Sequence, residues 1–160
     1  MAQTILCHLL IGLPASGKST FALKLQQQIP NSIIVSTDAV RLKLYGDATI
    51  QGNWNTIEQE VIKQVKLAIA NQQSVIYDAT NVKAAWRISF MNQLQDTNTQ
   101  WIAWWLKTPV PICQQQNLMR SRQVPNHIIN IFGEYLLQSP PTINEGFLTV
   151  KEIELNYNTT

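Results

Sequence analysis

Within the stretch Gly12-Leu13-Pro14-Ala15-Ser16-Gly17-Lys18-Ser19-Thr20, the first eight residues complete the pattern GxxxxGK[ST]. The pattern dictates its own surroundings, because it works only between a strand and a helix. The apolar run Ile5 to Ile11 leads into it and a helix-compatible segment, Lys18–Gln28, leaves it. Gly12 and Gly17 are expected to supply backbone dihedrals closed to other residues. Successive N–H groups, those of Pro14's neighbours through Thr20, then turn inward around a phosphate at the positive end of the new helix. Lys18 would reach the β and γ phosphates and the Ser19 hydroxyl would ligate Mg²⁺. Nucleotide binding is the reading that follows.

Four further runs read as buried strands: Ser32–Ser36, Ser74–Tyr77, Trp101–Leu106 and Phe147–Ile153. Each is short, β-branched or aromatic, and separated from the next by a segment long enough for a helix. Helices are expected at Lys18–Gln28, Thr56–Asn71, Lys83–Leu94, Pro111–Met119 and Asn126–Leu137, with Thr56 and Gln59 forming a capping box. Such alternation predicts an α/β fold with a parallel sheet of about five strands and helices on both faces. All 160 residues are assigned to a single domain, with a helical lid over roughly 112–138. The irregular stretch Tyr45 to Asn55 is expected to be a mobile, substrate-facing loop.

Charge and cysteine content narrow the partners. A net charge of +2, with 14% charged residues, provides no broad basic surface for nucleic acid, although a small focused site is compatible with it. Cys7 and Cys113 have neither metal-ligand spacing nor the pattern of a disulfide framework, so a reducing cytoplasm is the expected location. The first apolar stretch is short, lacks a basic leader and reads as a buried strand. No segment is long enough to span a membrane.

In a parallel sheet ligands sit beyond the carboxyl ends of the strands. After the second strand, Asp38 and Arg41 stand one helical turn apart. The carboxylate would take a proton from an attacking hydroxyl while the arginine holds an anion, or the pair would be an N-cap and its surface partner. After the third strand, Asp78 suits a metal-water ligand or an orienting group for Arg41, and Asn81 is expected to cap the next helix. Two of the four arginines, Arg120 and Arg122, fall in the turn before Pro125, where they would stabilise a transferring phosphoryl group or form a solvated basic turn. His127 reads as an exposed bystander and His8 as a hydrogen-bonded core residue. Trp54, in the irregular stretch, is a candidate for stacking on a base, whereas the tryptophans at 101, 104 and 105 read as parts of the fourth strand.

Together these pieces resemble the P-loop kinases of the phage and bacterial polynucleotide 5′-kinase type, within the AAA-type and zeta-toxin-like ATP-binding kinases. The matching elements are Gly-x-Pro-x-Ser-Gly-Lys-Ser-Thr; Ser-x-Asp-x-x-Arg; Asp-Ala-Thr-Asn with Arg87 downstream; Asn-x-x-x-x-Arg-x-Val-Pro; and Glu145-Gly146-Phe147. The resemblance covers nearly the whole chain and implies an adenylate-kinase-like fold that uses ATP and Mg²⁺ to phosphorylate a 5′-hydroxyl end. It implies that Lys18 and Ser19 hold phosphates and Mg²⁺, that Asp38 is the general base and that Arg41 contacts the acceptor's phosphate. It also implies that Asp78 supports the acceptor site, that Arg120 is the lid arginine and that Val124-Pro125 lies near the adenine. Where the family often has an arginine before the lid asparagine, this chain has Gln116. Similar motifs occur in zeta-toxin-like and chloramphenicol phosphotransferase-like kinases of small hydroxyl compounds. A nucleotide-dependent regulatory module with no acceptor is the remaining alternative.

Overall fold

A computed structural model describes residues 3–155. Five strands, β1 (Ile5–Ile11), β2 (Ser32–Ser36), β3 (Ser74–Asp78), β4 (Thr99–Leu106) and β5 (Thr149–Ile153), form one sheet in the order β2-β3-β1-β4-β5. Every pairing is parallel, with His8 opposite Ile76 on one side of β1 and Ile102 on the other. The central strand is thereby covered on both edges and both faces. That is why it reads as an apolar run interrupted only by His8.

The helices are α1 (Lys18–Gln28), α2 (Thr37–Tyr45), α3 (Trp54–Ala70), α4 (Ala84–Gln93), α5 (Val110–Leu118) and α6 (Asn126–Gln138). Alternate residues of β1 feed two cores. Leu10 meets Ala22 and Leu25 of α1, while Cys7, Leu9 and Ile11 join the larger cluster that includes Val61 and Val65 of α3, Phe90 of α4 and Ile129 of α6. The expected α/β architecture with helices on both faces is the one found. Among the described residues no helix is long and apolar enough to cross a membrane.

Several local expectations change. The chain after β2 is the full helix α2, capped by the Ser36 hydroxyl, which accepts from the Ala39 amide at 3.0 Å. Asp38 is therefore not the cap. At the other end Gly46 takes a left-handed conformation, φ 75°, that closes the helix. Helix α3 starts at Trp54, and its cap is Asn53, which accepts from the Thr56 amide at 3.2 Å, in place of the expected Thr56–Gln59 box. The intervening loop is shorter than expected and tied down. Tyr45 Oη accepts from the Asn53 amide at 3.1 Å, and Asp47 accepts from both the amide and the hydroxyl of Thr49. Strand β4 begins two residues earlier than expected, where Thr99 pairs with Ile5, and β5 begins at Thr149, leaving Phe147 as a buried residue ahead of it.

Two buried polar groups decide how the layers sit. His8 faces the α1 side of the sheet and accepts from Trp104 Nε1 at 3.0 Å, as a hydrogen-bonded core histidine should. Burial, with Lys151 nearby, pushes its pKa down to about 4. Arg87 is fully buried on α4. It meets Glu145 through Nε–Oε1 at 2.6 Å and Nη2–Oε2 at 3.1 Å, and it donates to the carbonyls of Asn81 and Ser139 at 2.8 and 2.7 Å. Two pieces of sequence 58 residues apart are thus one ion pair.

Both groups give measurable stability effects. An unfolded histidine binds its proton near pH 6.5 and the folded His8 only near 4, so stability is lost as the pH falls between those values. Relative to a His8→Asn variant, the wild type should lose on the order of 2 kcal/mol between pH 7 and 4.5 in urea unfolding. Arg87→Leu leaves the Glu145 carboxylate buried and unpaired, and should cost about 3–5 kcal/mol in the same measurement, with the Arg87→Leu/Glu145→Leu double variant costing less than Arg87→Leu alone.

Candidate active site

The carboxyl ends of β1, β2 and β3 open on a cleft of about 780 Å³ walled by the phosphate loop, α2, the 46–53 loop, α4 and the turn 119–125, which falls in the stretch expected to be a lid. The loop after β1 is held from both neighbouring strands. Gly12 donates its amide to Thr80 O at 3.0 Å and Asn81 Nδ2 donates to Leu10 O at 2.8 Å, both from the segment after β3. Thr108, beyond β4, donates its hydroxyl to Ser16 O at 2.8 Å. Asn81 therefore ties strand to strand and does not cap α4, whose N-cap is Lys83 without a side-chain bond.

The two glycines of the motif are needed for different reasons. Gly17 has φ 98°, a left-handed conformation that starts α1. Gly12 has no such dihedral. A Cβ there would stand 2.7 Å from Ser16 Oγ, so its requirement is space. The unusual backbone falls instead on Ala15, with φ 61°. Pro14, Ala15, Ser16 and Gly17 line the cleft with Lys18, Ser19 and Thr20.

Lys18 is buried, with Nζ donating to Leu13 O at 2.7 Å and 3.5 Å from Ser16 Oγ. Burial pushes the ammonium's pKa below its ordinary value, opposed chiefly by the Asp78 carboxylate. Burial likewise raises the pKa of Asp78, opposed by Lys18 and by the Ser19 hydroxyl, which donates to Asp78 Oδ2 at 2.9 Å. A cradle with no room for a side chain at Gly12, a buried ammonium, and a hydroxyl already set against a carboxylate fit a nucleotide triphosphate with Mg²⁺. Ser19 and Asp78 are the pair that would hold the ion.

Asp38, on the first turn of α2, leaves its side chain half exposed in the cleft. Arg122 Nη2 meets Asp38 Oδ2 at 3.0 Å and Arg41 Nη1 meets Oδ1 at 3.7 Å. Arg41 is thus oriented by Asp38, and by the Gln51 carbonyl at 3.5 Å, rather than by Asp78. Arg120 and Arg122 both line the same cleft. Their turn is clamped by buried Asn117, which bonds both polar groups of the Val124 backbone at 2.7 and 3.0 Å, with Pro125 immediately before α6. His127 is exposed on α6, and both cysteines are buried and free.

Trp54 is not on a free loop. It opens α3 with its ring 5.8 Å from that of Trp86, which in turn sits 6.2 Å from Phe132. Trp86 and Phe132 line the cleft and escaped the sequence reading, because each lies on a helix whose apolar spacing reads as core. Thr108 escaped it too, having no signal beyond its place after a strand.

The sequence profile of the AAA domain family matches residues 7–132, well over half of the chain. The chain belongs to this family of P-loop kinase domains. L-seryl-tRNA(Sec) kinase of Methanococcus maripaludis is 30% identical over 137 residues, covering 79% of this chain and 51% of that protein. Similar folds occur in a chain of the Pnkp1/Rnl/Hen1 RNA repair complex, with TM-score 0.73, 21% identity, and 87% and 46% of the two chains covered. A gluconokinase from Sinorhizobium meliloti 1021 gives TM-score 0.61 at 11% identity, with 98% and 86% covered. A fungal RNA kinase gives 0.68 at 13%, with 99% and 40% covered. The chain spans about half the length of the seryl-tRNA kinase and of the RNA repair protein.

Lys18 donates the one buried ammonium of the loop. Lys18→Ala should weaken ATP–Mg²⁺ binding at least about tenfold, the scale of one lost charged hydrogen bond, in a calorimetric titration. The same variant should melt close to wild type.

Proposed function

We propose that this domain transfers the γ-phosphoryl group of ATP to a hydroxyl at the end of a nucleic acid, a polynucleotide 5′-hydroxyl in the first instance. The observation that supports the reading best is Asp38. It is a carboxylate half exposed in the cleft that the phosphate loop opens into, flanked by Arg41 from its own helix and Arg122 from the lid turn.

The residues divide the work. The loop amides and Lys18 bind the phosphates, and Arg120 and Arg122 neutralise charge on the group in flight. The Ser19 hydroxyl and the Asp78 carboxylate would hold magnesium, which would supply charge neutralisation to the phosphates when bound. Asp38 accepts the proton of the acceptor hydroxyl while the new O–P bond forms and the bond from Pγ to the ADP oxygen breaks. Arg41 holds an anionic group of the acceptor. Little covalent chemistry falls to the protein, so positioning and charge stabilisation carry most of the rate.

A second acceptor follows from a specific relative. The M. maripaludis protein that is 30% identical is an L-seryl-tRNA(Sec) kinase, which points to the hydroxyl of a seryl group carried on RNA. Both acceptors present a hydroxyl next to a nucleotide, and both would use Asp38 alike.

Transfer of γ-labelled phosphate from ATP to a 5′-hydroxyl oligonucleotide, to seryl-tRNA and to water, measured together, separates the readings. Labelled oligonucleotide is the expected product. Labelled seryl-tRNA alone would move the assignment to the second acceptor. Phosphate release with neither product would redirect it to small hydroxyl compounds or to a regulatory nucleoside triphosphatase. Asp38→Ala should lower transfer by about 10²–10⁴-fold, the usual range for a general base. Because Asp38 is half exposed, its ion pairs are worth under about 1 kcal/mol and the variant should keep its melting temperature. Unchanged turnover in Asp38→Ala would remove the carboxylate from the mechanism.

A further inference from the structure

Trp54, Trp86 and Phe132 come from three separate helices, α3, α4 and α6, and meet on one wall of the cleft. None is fully buried, and all three rest on the core behind them. The wall is braced from beneath. The Lys83 ammonium lies 5.1 Å from the Trp86 ring and 4.5 Å from that of Tyr135, whose ring is 5.8 Å from Phe132. A partly exposed aromatic surface inside a cleft that also holds three arginines and the phosphate loop is suited to a flat ring carried by an anionic molecule.

The sheet order places this wall. Helix α2, with Asp38, follows β2, and α4, with Trp86, follows β3, and both strands lie on the same side of β1. On the opposite side of the phosphate loop lie the chain after β4, where Thr108 bonds Ser16 O, and Leu155, 3.2 Å from where a Cβ on Gly17 would sit. An in-line transfer puts the donor's leaving group and the acceptor on opposite sides of the γ-phosphoryl. The aromatic wall therefore belongs to the acceptor half, on the side of the general base.

We propose that Trp86, supported by Trp54 and Phe132, is the stacking platform for the nucleobase next to the reacting hydroxyl, and so a specificity-determining residue of the acceptor site. The inference rests on the phosphotransferase reading with a nucleic-acid end as acceptor. It explains how a chain with a net charge of only +2 selects such an end. Arg41 and Arg122 meet phosphate charge locally, and the ring contact supplies the remainder without a wide basic surface. Stacking on an aromatic side chain tolerates any base, so the platform selects for the presence of a base and hardly for its identity.

The test uses binding as well as turnover. Fluorescence anisotropy of a 3′-labelled 5′-hydroxyl hexadeoxynucleotide reads affinity without transfer, and labelled phosphate reads KM and kcat. Making the 5′-terminal residue abasic should weaken wild-type binding by roughly 5- to 100-fold, the range for one stacked base, and raise KM for the oligonucleotide accordingly. Trp86→Leu should bind the ordinary and abasic ends alike, and Trp86→Phe, which keeps a ring, should restore most of the discrimination. Thermal melting of Trp86→Leu controls for folding. Equal binding of the two ends by wild type would overturn the platform, as would an effect of Trp86→Leu confined to the KM for ATP. Base-dependent binding with no labelled product would keep the platform and discard the 5′-hydroxyl as the reacting group, whereas labelled product with equal KM for both ends would do the reverse.

Discussion

The phosphate loop keeps its shape because both strands beside β1 hold it. Thr80 and Asn81 tie it from the β3 side and Thr108 from the β4 side, and the bonds lie between 2.8 and 3.0 Å. A loop whose amides point inward exposes its own carbonyls outward, and each needs a partner once buried. Thr108 supplies one for Ser16 O, and Lys18 Nζ and the Ser16 amide supply those of Leu13 O. The loop is therefore fixed in shape by chain that is itself fixed, the condition under which amide donors contribute most to binding an anion.

A second constraint acts at a distance from the chemistry. Arg87 and Glu145 bury opposite charges with bidentate geometry, and Arg87 also reaches the carbonyls of Asn81 and Ser139. The pair contributes little net free energy, since desolvation offsets most of the attraction. What it fixes is position. Asn81 is the residue that holds the end of β1, so α4, the chain after α6 and the root of the phosphate loop are set relative to one another through one guanidinium. Glu145 also accepts from the Thr142 amide at 3.2 Å, which locks the short turn ahead of β5.

How much of this was legible in the sequence depends on whether the cause is local. Strands buried on both faces show as apolar runs, and the phosphate loop shows as spaced glycines, so the architecture, Lys18 and Ser19 could be read directly. The resemblance also brought together Asp38, Arg41, Arg87 and Glu145 as parts of one pattern, without saying that the last two touch. The errors arise where a residue type serves two purposes. Asn81 has the side chain of a helix cap but finds a strand carbonyl first, and Gly12 is required by the bulk of Ser16 and not by its own dihedral. Helix α2 was missed as a full helix although Ser36 and Gly46 mark both of its ends. The aromatic wall was invisible because α3, α4 and α6 each present an ordinary amphipathic pattern, and only packing brings Trp54, Trp86 and Phe132 together. The reaction type is thus encoded near the loop, whereas the aromatic wall proposed as the acceptor face exists only in tertiary structure.

The two arginine–carboxylate pairs make opposite use of the same chemistry. Arg87 and Glu145 are dry, at 0% and 8% exposure, so exchanging either partner would leave a bare charge in the core. Arg122 and Asp38 are at 33% and 50%, where water screens the attraction and the pair is worth under about 1 kcal/mol. Arg122 can then exchange a carboxylate for a phosphate oxygen at almost no cost, and Asp38 can exchange a guanidinium for an acceptor hydroxyl. The proposed transfer needs both exchanges within one turnover. A buried Asp38–Arg122 pair would hold the base more firmly and would release it too slowly, so the half-wet position of Asp38 is itself part of what suits it to the reaction.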